Sequence, residues 1–316
     1  MGPALIRLVV DTDPGVDDAL AIMLAFAHPG VAVEAVTVVA GNKGLERTVA
    51  NACTILDVLG ASSVATPVFR GCGRPLLGPR VEATSHGTDG LGDCHFPPSS
   101  RSVEAEHASL ALVRLANDAP GERTLVALGP LTNLAVAMSL DPDLPDKYRR
   151  LVVMGGAVRA TGNMPSPSTE FNVSSDPEAA AIVLEQWPGA ALVPWETAMH
   201  SIVGMDRVRE IWSATGARAE FARKITARRP ALVREHFGLS GMFVADPVAM
   251  AVAIDPGIVT RSERRHVAVE LVGRHTRGQT TVDWFNLGGE APNVEVVLEV
   301  DADRFWKMLR ASVGYD

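Results

Sequence analysis

Short apolar runs alternate with segments of helical periodicity along most of the chain. The apolar runs predict strands at Leu5–Val10, Val31–Ala40, Val64–Phe69, Thr124–Leu128, Leu151–Met154, Ala190–Val193, His266–Val272 and Val294–Val300. The periodic segments predict helices at Asp17–Ala27, Leu45–Leu59, Glu104–Asn117, Leu131–Leu140, Pro177–Gln186, Met205–Arg228, Pro247–Ile254 and Asp303–Ser312. This alternation predicts an α/β fold: an open, mostly parallel, Rossmann-like sheet with helices on both faces.

The alternation is interrupted by loops rather than by linkers. Gly71–Ser100 and Gly155–Ser168 are rich in glycine, proline and polar residues, and long loops inside a domain tend to be functional. No Ser/Gly/Pro linker divides the chain, and no motif repeats at a fixed period. We therefore predict a single domain spanning residues 1–316.

The composition narrows the function classes. The 316 residues are 47% hydrophobic and 21% charged, which is typical of a globular protein. Lys and Arg number 29 against 37 Asp and Glu, and a net charge of −8 argues against nucleic-acid binding. The densest basic run, Arg261–Arg265, is interrupted by Glu263 and is predicted to be a solvated loop.

Three cysteines without a CxxC pair predict thiols in a reducing compartment. The chain has neither a signal-like start nor an apolar stretch of membrane-spanning length. The expected location is the cytoplasm, with no membrane partner.

Polar residues follow the carboxyl ends of the predicted strands, where parallel sheets bind ligands. The strongest signal is four aspartates within eight residues after the first strand: Asp11, Asp13, Asp17 and Asp18. A helix N-terminus stabilises one or two carboxylates, but four favour a hard divalent cation such as Ca²⁺. The alternative is a solvated acidic turn.

Asp246 is a second acid of interest because it lies in an otherwise apolar stretch, between Met242–Ala245 and Pro247–Met250. An acid in such surroundings needs a partner. It is predicted to be a cation ligand, a helix N-cap before Pro247, or both.

These residues belong to a set of motifs that resembles the inosine–uridine-preferring nucleoside hydrolases. The matching blocks occur in family order over nearly the whole chain: Asp11–Ala19, Gly41-Asn42, His86–Leu91, Gly129–Asn133, Met154–Gly156, Glu170–Asn172 followed by Asp176–Ala179, Asp246-Pro247, Arg277-Gly278 and Thr281–Asp283. The resemblance implies hydrolysis of the N-glycosidic bond of ribonucleosides to ribose and free base. It also implies one Ca²⁺ at the rim of the sheet and a homodimer or homotetramer.

The resemblance further implies roles for individual residues. Calcium ligands are expected at Asp13, Asp18, Asp246 and the backbone carbonyl of Leu128, and Asp13 is also the expected general base. The residues expected to hold or line the ribose are Asp17, Asn42, Met154, Asn163, Glu170 and Asn172. Cleavage of an N-glycoside creates an oxocarbenium-like sugar, which facing carboxylates stabilise.

The chain departs from the family pattern where the leaving base is expected. Many members have a histidine directly before the last calcium aspartate, but residue 245 is Ala. His86 is the expected substitute as leaving-group acid, although a loop histidine bonded to backbone is an equal alternative. His236 is a weaker candidate, and an exposed helix position suits it better. Trp195, in a second departure, is expected either to stack on the base or to pack in the core.

Two other functions fit parts of the pattern. A haloacid-dehalogenase-type phosphatase would use Asp11 as nucleophile and Asp13 as acid, but Gly15 stands where that class has a hydroxyl. A ribose-binding homologue with little turnover is suggested by Ala245. Cleavage of a p-nitrophenyl riboside separates the enzyme from the binding protein, because that leaving group needs no proton.

Overall fold

An eight-stranded sheet forms the centre of the computed structural model, which describes residues 5–314. The strands in chain order are β1 (Ile6–Thr12), β2 (Val31–Val38), β3 (Val68–Arg70), β4 (Arg123–Ala127), β5 (Arg150–Met154), β6 (Ala190–Val193), β7 (Val259–Arg265), β8 (Val267–Val269), β9 (Thr280–Val282) and β10 (Val294–Val300). The central order is β3-β2-β1-β4-β5-β6-β10-β7, while β8 and β9 form a separate antiparallel pair. Neighbours in the central sheet are parallel except β7 and β10, so the predicted mostly parallel sheet is confirmed.

Helices cover both faces of this sheet. They are α1 (Val16–Ala27), α2 (Leu45–Leu59), α3 (Ala108–Asp118), α4 (Thr132–Leu140), α5 (Leu144–Lys147), α6 (Phe171–Ser175), α7 (Pro177–Gln186), α8 (Trp195–His200), α9 (Met205–Ser213), α10 (Ala217–Thr226), α11 (Arg229–Phe237), α12 (Ala245–Ile254) and α13 (Ala302–Ser312). Short 3₁₀ turns occupy Gly60–Ser63 and Pro256–Ile258. No helix among the described residues is long and apolar enough to cross a membrane.

The hydrophobic core has two layers because side chains alternate across each strand. In β1, Leu8 and Val10 pack with the layer that contains α1, α2 and α8 to α13. Val9 points the other way and packs with the layer that contains α3 to α7. Burial on both faces explains why these strands are continuous apolar runs in the sequence.

The predicted elements differ from the structure mainly in the second half of the chain. The helical segment Met205–Arg228 is two helices, α9 and α10, separated at Gly216, which has a φ of +99°. A third helix, α11, follows with Pro230 in its first turn and was not predicted. The predicted strand His266–Val272 contains only β8, and Arg261–Arg265 is part of strand β7 rather than a solvated loop.

Two earlier elements also begin later than predicted. Strand β3 starts at Val68 because a 3₁₀ turn occupies residues 60–63. Helix α3 starts at Ala108, where the ring of His107 accepts the N–H of Ser109, and Glu104 instead forms a β-bridge with Phe69. Both differences are local and leave the order of the sheet unchanged.

The strand order places a crevice at the carboxyl end of β1. The chain runs from β1 outward to β2 and β3, and then returns to β4 on the other side of β1. Such a reversal of direction separates the loops that follow the two neighbouring strands, and α/β sheets bind ligands there. The loops after β1, β2, β4 and β5 carry Asp13, Asn42, Leu128 and the residues that follow Met154.

Candidate active site

Two helix N-termini bring the predicted acidic residues together. Asp17 and Asp18 lie in the first turn of α1, Asp246 lies in the first turn of α12, and these helices pack against each other. One carboxylate oxygen from each of the three lies within 4.8 Å of the other two. Helix α12 begins at Ala245, so Asp246 is a first-turn residue rather than the predicted N-cap.

Burial excludes the solvated acidic turn. Asp13 and Asp18 have no exposed surface, and Asp17 and Asp246 are also buried. Burial and the charge of Asp17 raise the pKa of Asp18 to about 6. Burial and the charge of Asp18 raise the pKa of both Asp13 and Asp246 well above the usual carboxyl range. The negative charge of these carboxylates is therefore not balanced by positive charge nearby.

Asp18 is held in place by the turn that starts α1. Its Oδ1 accepts the hydroxyl of Thr12 at 2.5 Å, and its Oδ2 accepts the backbone N–H of Gly15 at 2.8 Å. The side-chain amide of Asn42 also donates to Oδ2 at 3.1 Å. These donors fix the carboxylate at the rim and leave its charge only partly compensated.

Asp13 is enclosed by two glycines. Its Oδ2 accepts the backbone N–H of Asn42 at 2.6 Å, whereas its Oδ1 is buried without a partner. A Cβ at Gly41 would lie 2.1 Å from Oδ2, and a Cβ at Gly129 would lie 2.6 Å from Oδ1. A Cβ at either position would overlap the Asp13 carboxylate, so both positions require glycine.

The donor set fits a hard divalent cation. Oδ1 of Asp13 and Oδ1 of Asp17 are both buried and lack a hydrogen-bond partner, as expected of oxygens that bind a metal. All the side chains in the cluster are carboxylates, the donors that Ca²⁺ and Mg²⁺ prefer. Asp17 forms the three-residue group with Asp18 and Asp246, as the four-aspartate motif suggests, although the family resemblance assigns it only to the ribose; Asp13 is not one of the three.

A cavity of about 380 Å³ opens beside this cluster. It is within the range of small-ligand sites. Nine residues predicted for the site line it: Asp17, Asn42, His86, Leu128, Met154, Asn163, Glu170, Asn172 and Asp246. Asp13 and Asp18 do not line this cavity, and they contact Asn42, which does.

Asn172 and Glu170 form one wall. The amide of Asn172 donates to the carbonyl of Leu128 at 2.8 Å and to that of Met154 at 3.1 Å. Glu170 caps α6 and accepts three backbone N–H groups, from Gly156, Asn172 and Val173. Burial raises the pKa of the Glu170 carboxyl to about 7. This wall offers carboxylate and amide groups that suit sugar hydroxyls.

Glu196, which the sequence does not single out, helps to position Asn163 through the loop that precedes it. Its Oδ1 accepts the N–H of Phe171 at 2.9 Å. The loop before it is held by Glu196, which accepts the N–H groups of Val158 at 3.1 Å and Arg159 at 2.7 Å. The only sequence signal for Glu196 is its place in the short segment that follows β6, next to Trp195.

His86 is buried beside the start of α1. Its Nδ1 accepts the backbone N–H of Val16 at 3.0 Å, so the ring proton of the neutral form is on Nε2. Burial lowers the pKa of His86 to about 4, against the opposing charge of Asp17. His86 is thus both bonded to backbone and part of the cavity wall, and it is neutral near pH 7.

Part of the cavity wall is aromatic. Trp195, Phe237 and Phe243 pack together there, beside the methyl group of Ala245. His236 lies on α11 as an exposed helix residue, and its Nδ1 is 3.0 Å from the carbonyl of Leu232. A wall with both aromatic and polar side chains suits a ligand with a flat ring attached to a sugar.

Comparisons with known proteins agree with this arrangement. A family model described as inosine-uridine preferring nucleoside hydrolase matches residues 8–307. The pyrimidine-specific ribonucleoside hydrolase RihB of Escherichia coli (strain K12) is 32% identical over 311 residues, which cover 98% of this chain and 97% of that protein.

Solved structures show the same likeness over the whole fold. An inosine-guanosine nucleoside hydrolase superposes with a TM-score of 0.90 at 36% identity, covering 99% of this chain and 100% of the other. A purine-preferring ribonucleoside hydrolase from Gardnerella vaginalis has a TM-score of 0.89 at 28% identity, covering 97% of this chain and 98% of the other. These three proteins are named for different base preferences.

Proposed function

This chain belongs to the inosine–uridine preferring nucleoside hydrolase family, whose members hydrolyse the N-glycosidic bonds of nucleosides, and we propose that it acts on ribonucleosides with one Ca²⁺ at the acidic cluster and Asp13 as the general base. The observation that carries the proposal is the buried, unpartnered Oδ1 of Asp13 beside three further buried carboxylates. The expected ligands of the ion are Asp13, Asp18, Asp246 and the carbonyl of Leu128. When bound, such an ion supplies positive charge that orients ribose hydroxyls and acidifies a water molecule.

The polar end of the cavity holds the ribose in this proposal. Asp17, Asn42, Asn163 and Asn172 bind its hydroxyl groups, and Met154 packs against the ring. Glu170 is anchored by three backbone N–H groups, so it keeps its orientation while it contacts the sugar. A preorganised carboxylate also stabilises the positive charge that develops on the ribose.

Asp13 accepts the proton of the attacking water. The C1′–N bond breaks with its electron pair moving to the base, a C1′–O bond forms, and the water proton passes to Oδ1 of Asp13. Such a positioned base contributes about 10²–10⁴-fold to the rate.

His86 contacts the leaving base. Because its Nδ1 accepts the N–H of Val16, the group it can offer near neutral pH is the Nε2–H of a neutral ring. It therefore stabilises the departing base by a hydrogen bond rather than as an imidazolium acid. This refines the role expected from the sequence.

The single-domain prediction is supported by the sheet. Strand β1 lies in the middle of the sheet, and β10, near the other end of the chain, lies in the same sheet. The two ends of the chain thus share one core. We retain the homodimer or homotetramer as a proposal from the family resemblance.

The alternative functions are not favoured. Oδ1 of Asp11, the nucleophile of a phosphatase, accepts Thr37 at 2.6 Å and Asn133 at 2.8 Å, and Asp11 has no exposed surface. These two donors hold the Asp11 carboxylate within the sheet, and the family match favours hydrolysis of nucleosides over phosphate chemistry. The binding protein without turnover rested on Ala245 alone, and the family match favours the enzyme.

The experiment is base release measured by chromatography. Purified protein is incubated with inosine, adenosine, guanosine, uridine and cytidine, with Ca²⁺ and again with excess chelator. We expect free base with Ca²⁺ and strong suppression by the chelator. Failure to cleave any of these and also a p-nitrophenyl riboside, with Ca²⁺ present, overturns the proposal; release that is unaffected by chelation overturns the role of Ca²⁺.

A further inference from the structure

The indole nitrogen of Trp195 is buried and has no hydrogen-bond partner, although the residue lines the cavity. Trp195 is the first residue of α8, and its backbone N–H is bonded to the carbonyl of Gly156 at 2.9 Å. Its ring packs edge-on against Phe243, with ring centroids 5.4 Å apart and an interplanar angle of 71°. The backbone and the ring of Trp195 are therefore held in place, and its indole N–H has no hydrogen-bond partner.

Such a group calls for an explanation, because a buried tryptophan N–H usually finds an acceptor. Other donors in the cavity wall have protein neighbours. Arg229 lies 3.6 Å from Oδ2 of Asp17 and 3.4 Å from the carbonyl of Phe243, and Nδ1 of His236 is next to the carbonyl of Leu232. The Trp195 N–H differs from these in having no acceptor within the described residues.

Trp195 lines the same cavity as Asn163, Glu170 and Asn172. Its backbone is bonded to Gly156, which in turn donates to Glu170, whereas its ring packs against Phe237 and Phe243. Phe243, which contacts the Trp195 ring, is two residues before Ala245 and three before Asp246. The indole is thus close to Ala245, whose methyl group cannot donate a hydrogen bond.

We propose that Trp195 Nε1–H donates a hydrogen bond to the leaving base and stabilises the negative charge that arises on it. This inference rests on the proposed function and names a further residue for it. As the C1′–N bond breaks, its electron pair moves onto the base, and the acceptor is a ring nitrogen or an exocyclic carbonyl oxygen of that base. The indole keeps its proton throughout, and the base is finally protonated by solvent.

The test is Trp195→Phe, which keeps an aromatic ring and removes the N–H. We expect kcat for the natural nucleoside that is cleaved fastest to fall by about 10- to 100-fold, below the largest losses seen when one oxyanion donor is removed. KM should change little, because the bond strengthens only as charge develops. The p-nitrophenyl riboside should lose less than about threefold, since its leaving group is already stable as an anion.

Trp187→Phe is the matched control. Trp187 is buried in the opposite core layer and packs against Tyr148, so this variant removes an indole N–H far from the cavity. It should leave the ratio of the two substrates unchanged. Equal losses on both substrates in Trp195→Phe, or no loss on the nucleoside, would overturn the inference.

A second measurement does not depend on that variant folding. The chain has five tryptophans, so wild-type protein gives five indole N–H signals in a ¹H–¹⁵N spectrum. Tryptophan-to-phenylalanine changes at the other four assign the Trp195 signal by exclusion. Hypoxanthine or uracil, chosen to match the fastest nucleoside, should move this signal downfield, whereas ribose alone should not.

The outcomes separate the two proposals. No cleavage of any riboside by the wild-type protein refutes the proposed function. An active wild-type protein whose Trp195 signal ignores the free base, and whose Trp195→Phe variant retains kcat, refutes only the role of Trp195. A variant that is less heat-stable but equally active marks Trp195 as a packing residue and also refutes it.

Discussion

Gly41 makes room for the carboxylate of Asp13: a Cβ on residue 41 would lie 2.1 Å from Oδ2 of Asp13 and 2.8 Å from Cδ of Pro130. No rotation of the Asp13 side chain alone relieves both contacts. The N–H of Asn42 also bonds this Oδ2, so the backbone at 41–42 fixes where the carboxylate points.

We therefore expect Gly41→Ala to disable the site without unfolding the chain. The methyl group should displace Asp13 and lower kcat at least about tenfold, since small misplacements of reacting groups are costly. Steady-state kinetics with Ca²⁺ checks this, and circular dichroism checks the fold. Gly204→Ala is the control, because nothing lies within 4 Å of a Cβ there; equal kinetics for the two variants would contradict the expectation.

Replacement of Asp13 by Asn tests the general base directly. The side-chain oxygen of Asn can still accept the N–H of Asn42, but the amide cannot take a proton from water. The expected loss in kcat is about 10²–10⁴-fold. Asp206→Asn, at a nearly fully exposed aspartate on α9, is the matched charge control. A variant with near-normal kcat would remove Asp13 from this role.

The Asp246→Asn variant distinguishes two effects of this residue: its effect on the stability of the metal-free protein and its contribution to metal binding. The charges of Asp18, Asp17 and Asp13 all oppose ionisation of Asp246, so in chelator the neutral amide should raise the Tm by a few degrees. Added Ca²⁺ should raise the Tm of the wild type but not of the variant. Differential scanning calorimetry with and without Ca²⁺ measures both; equal Ca²⁺ shifts would argue against Asp246 as a ligand.

Glu170 makes folding stability depend on pH. Its pKa is raised from 4.5 to about 7 in the folded chain by burial. Protonation is therefore tighter in the folded than in the unfolded state, so this contribution is complete below pH 4.5 and is lost as the pH rises through 7. From pH 5 to pH 8 the loss attributable to Glu170 is about 3 kcal/mol at most.

Urea unfolding of wild type and Glu170→Gln in chelator, at pH 5 and pH 8, checks this. The free energy of unfolding should fall less in the variant between the two pH values. Other buried acids also contribute, for example Asp11, whose pKa is about 7, so the comparison is the difference between the two proteins. Identical falls in both would show that Glu170 titrates as a solvated carboxyl.

The parallel sheet could be predicted because buried strands and their helices have simple periodicities. The same logic predicted that the polar residues after the strands, Asp13 among them, gather at one rim of the sheet. The pairing of Asp18 with Asp246 follows from the packing of α1 on α12, which no local pattern encodes, and only the family resemblance indicated it.

Other parts of the site depend on contacts that the sequence does not display. Helix α11, which carries Phe237 and His236, lacks a clear amphipathic pattern and was missed. Glu196 matters through the backbone N–H groups of a distant loop, and any residue type can supply those. The state of His86 likewise depends on a single bond to Val16, 70 residues earlier in the chain.

The edges of the central sheet also bear on how copies of this chain can associate. At one edge, β7 carries the charged residues Arg261, Glu263 and Arg264, and at the other, β3 is only three residues long and is bridged by Glu104. Charged or short edges discourage the addition of a further strand from another molecule. We expect any contact between copies of this chain to involve helices and loops rather than pairing of edge strands.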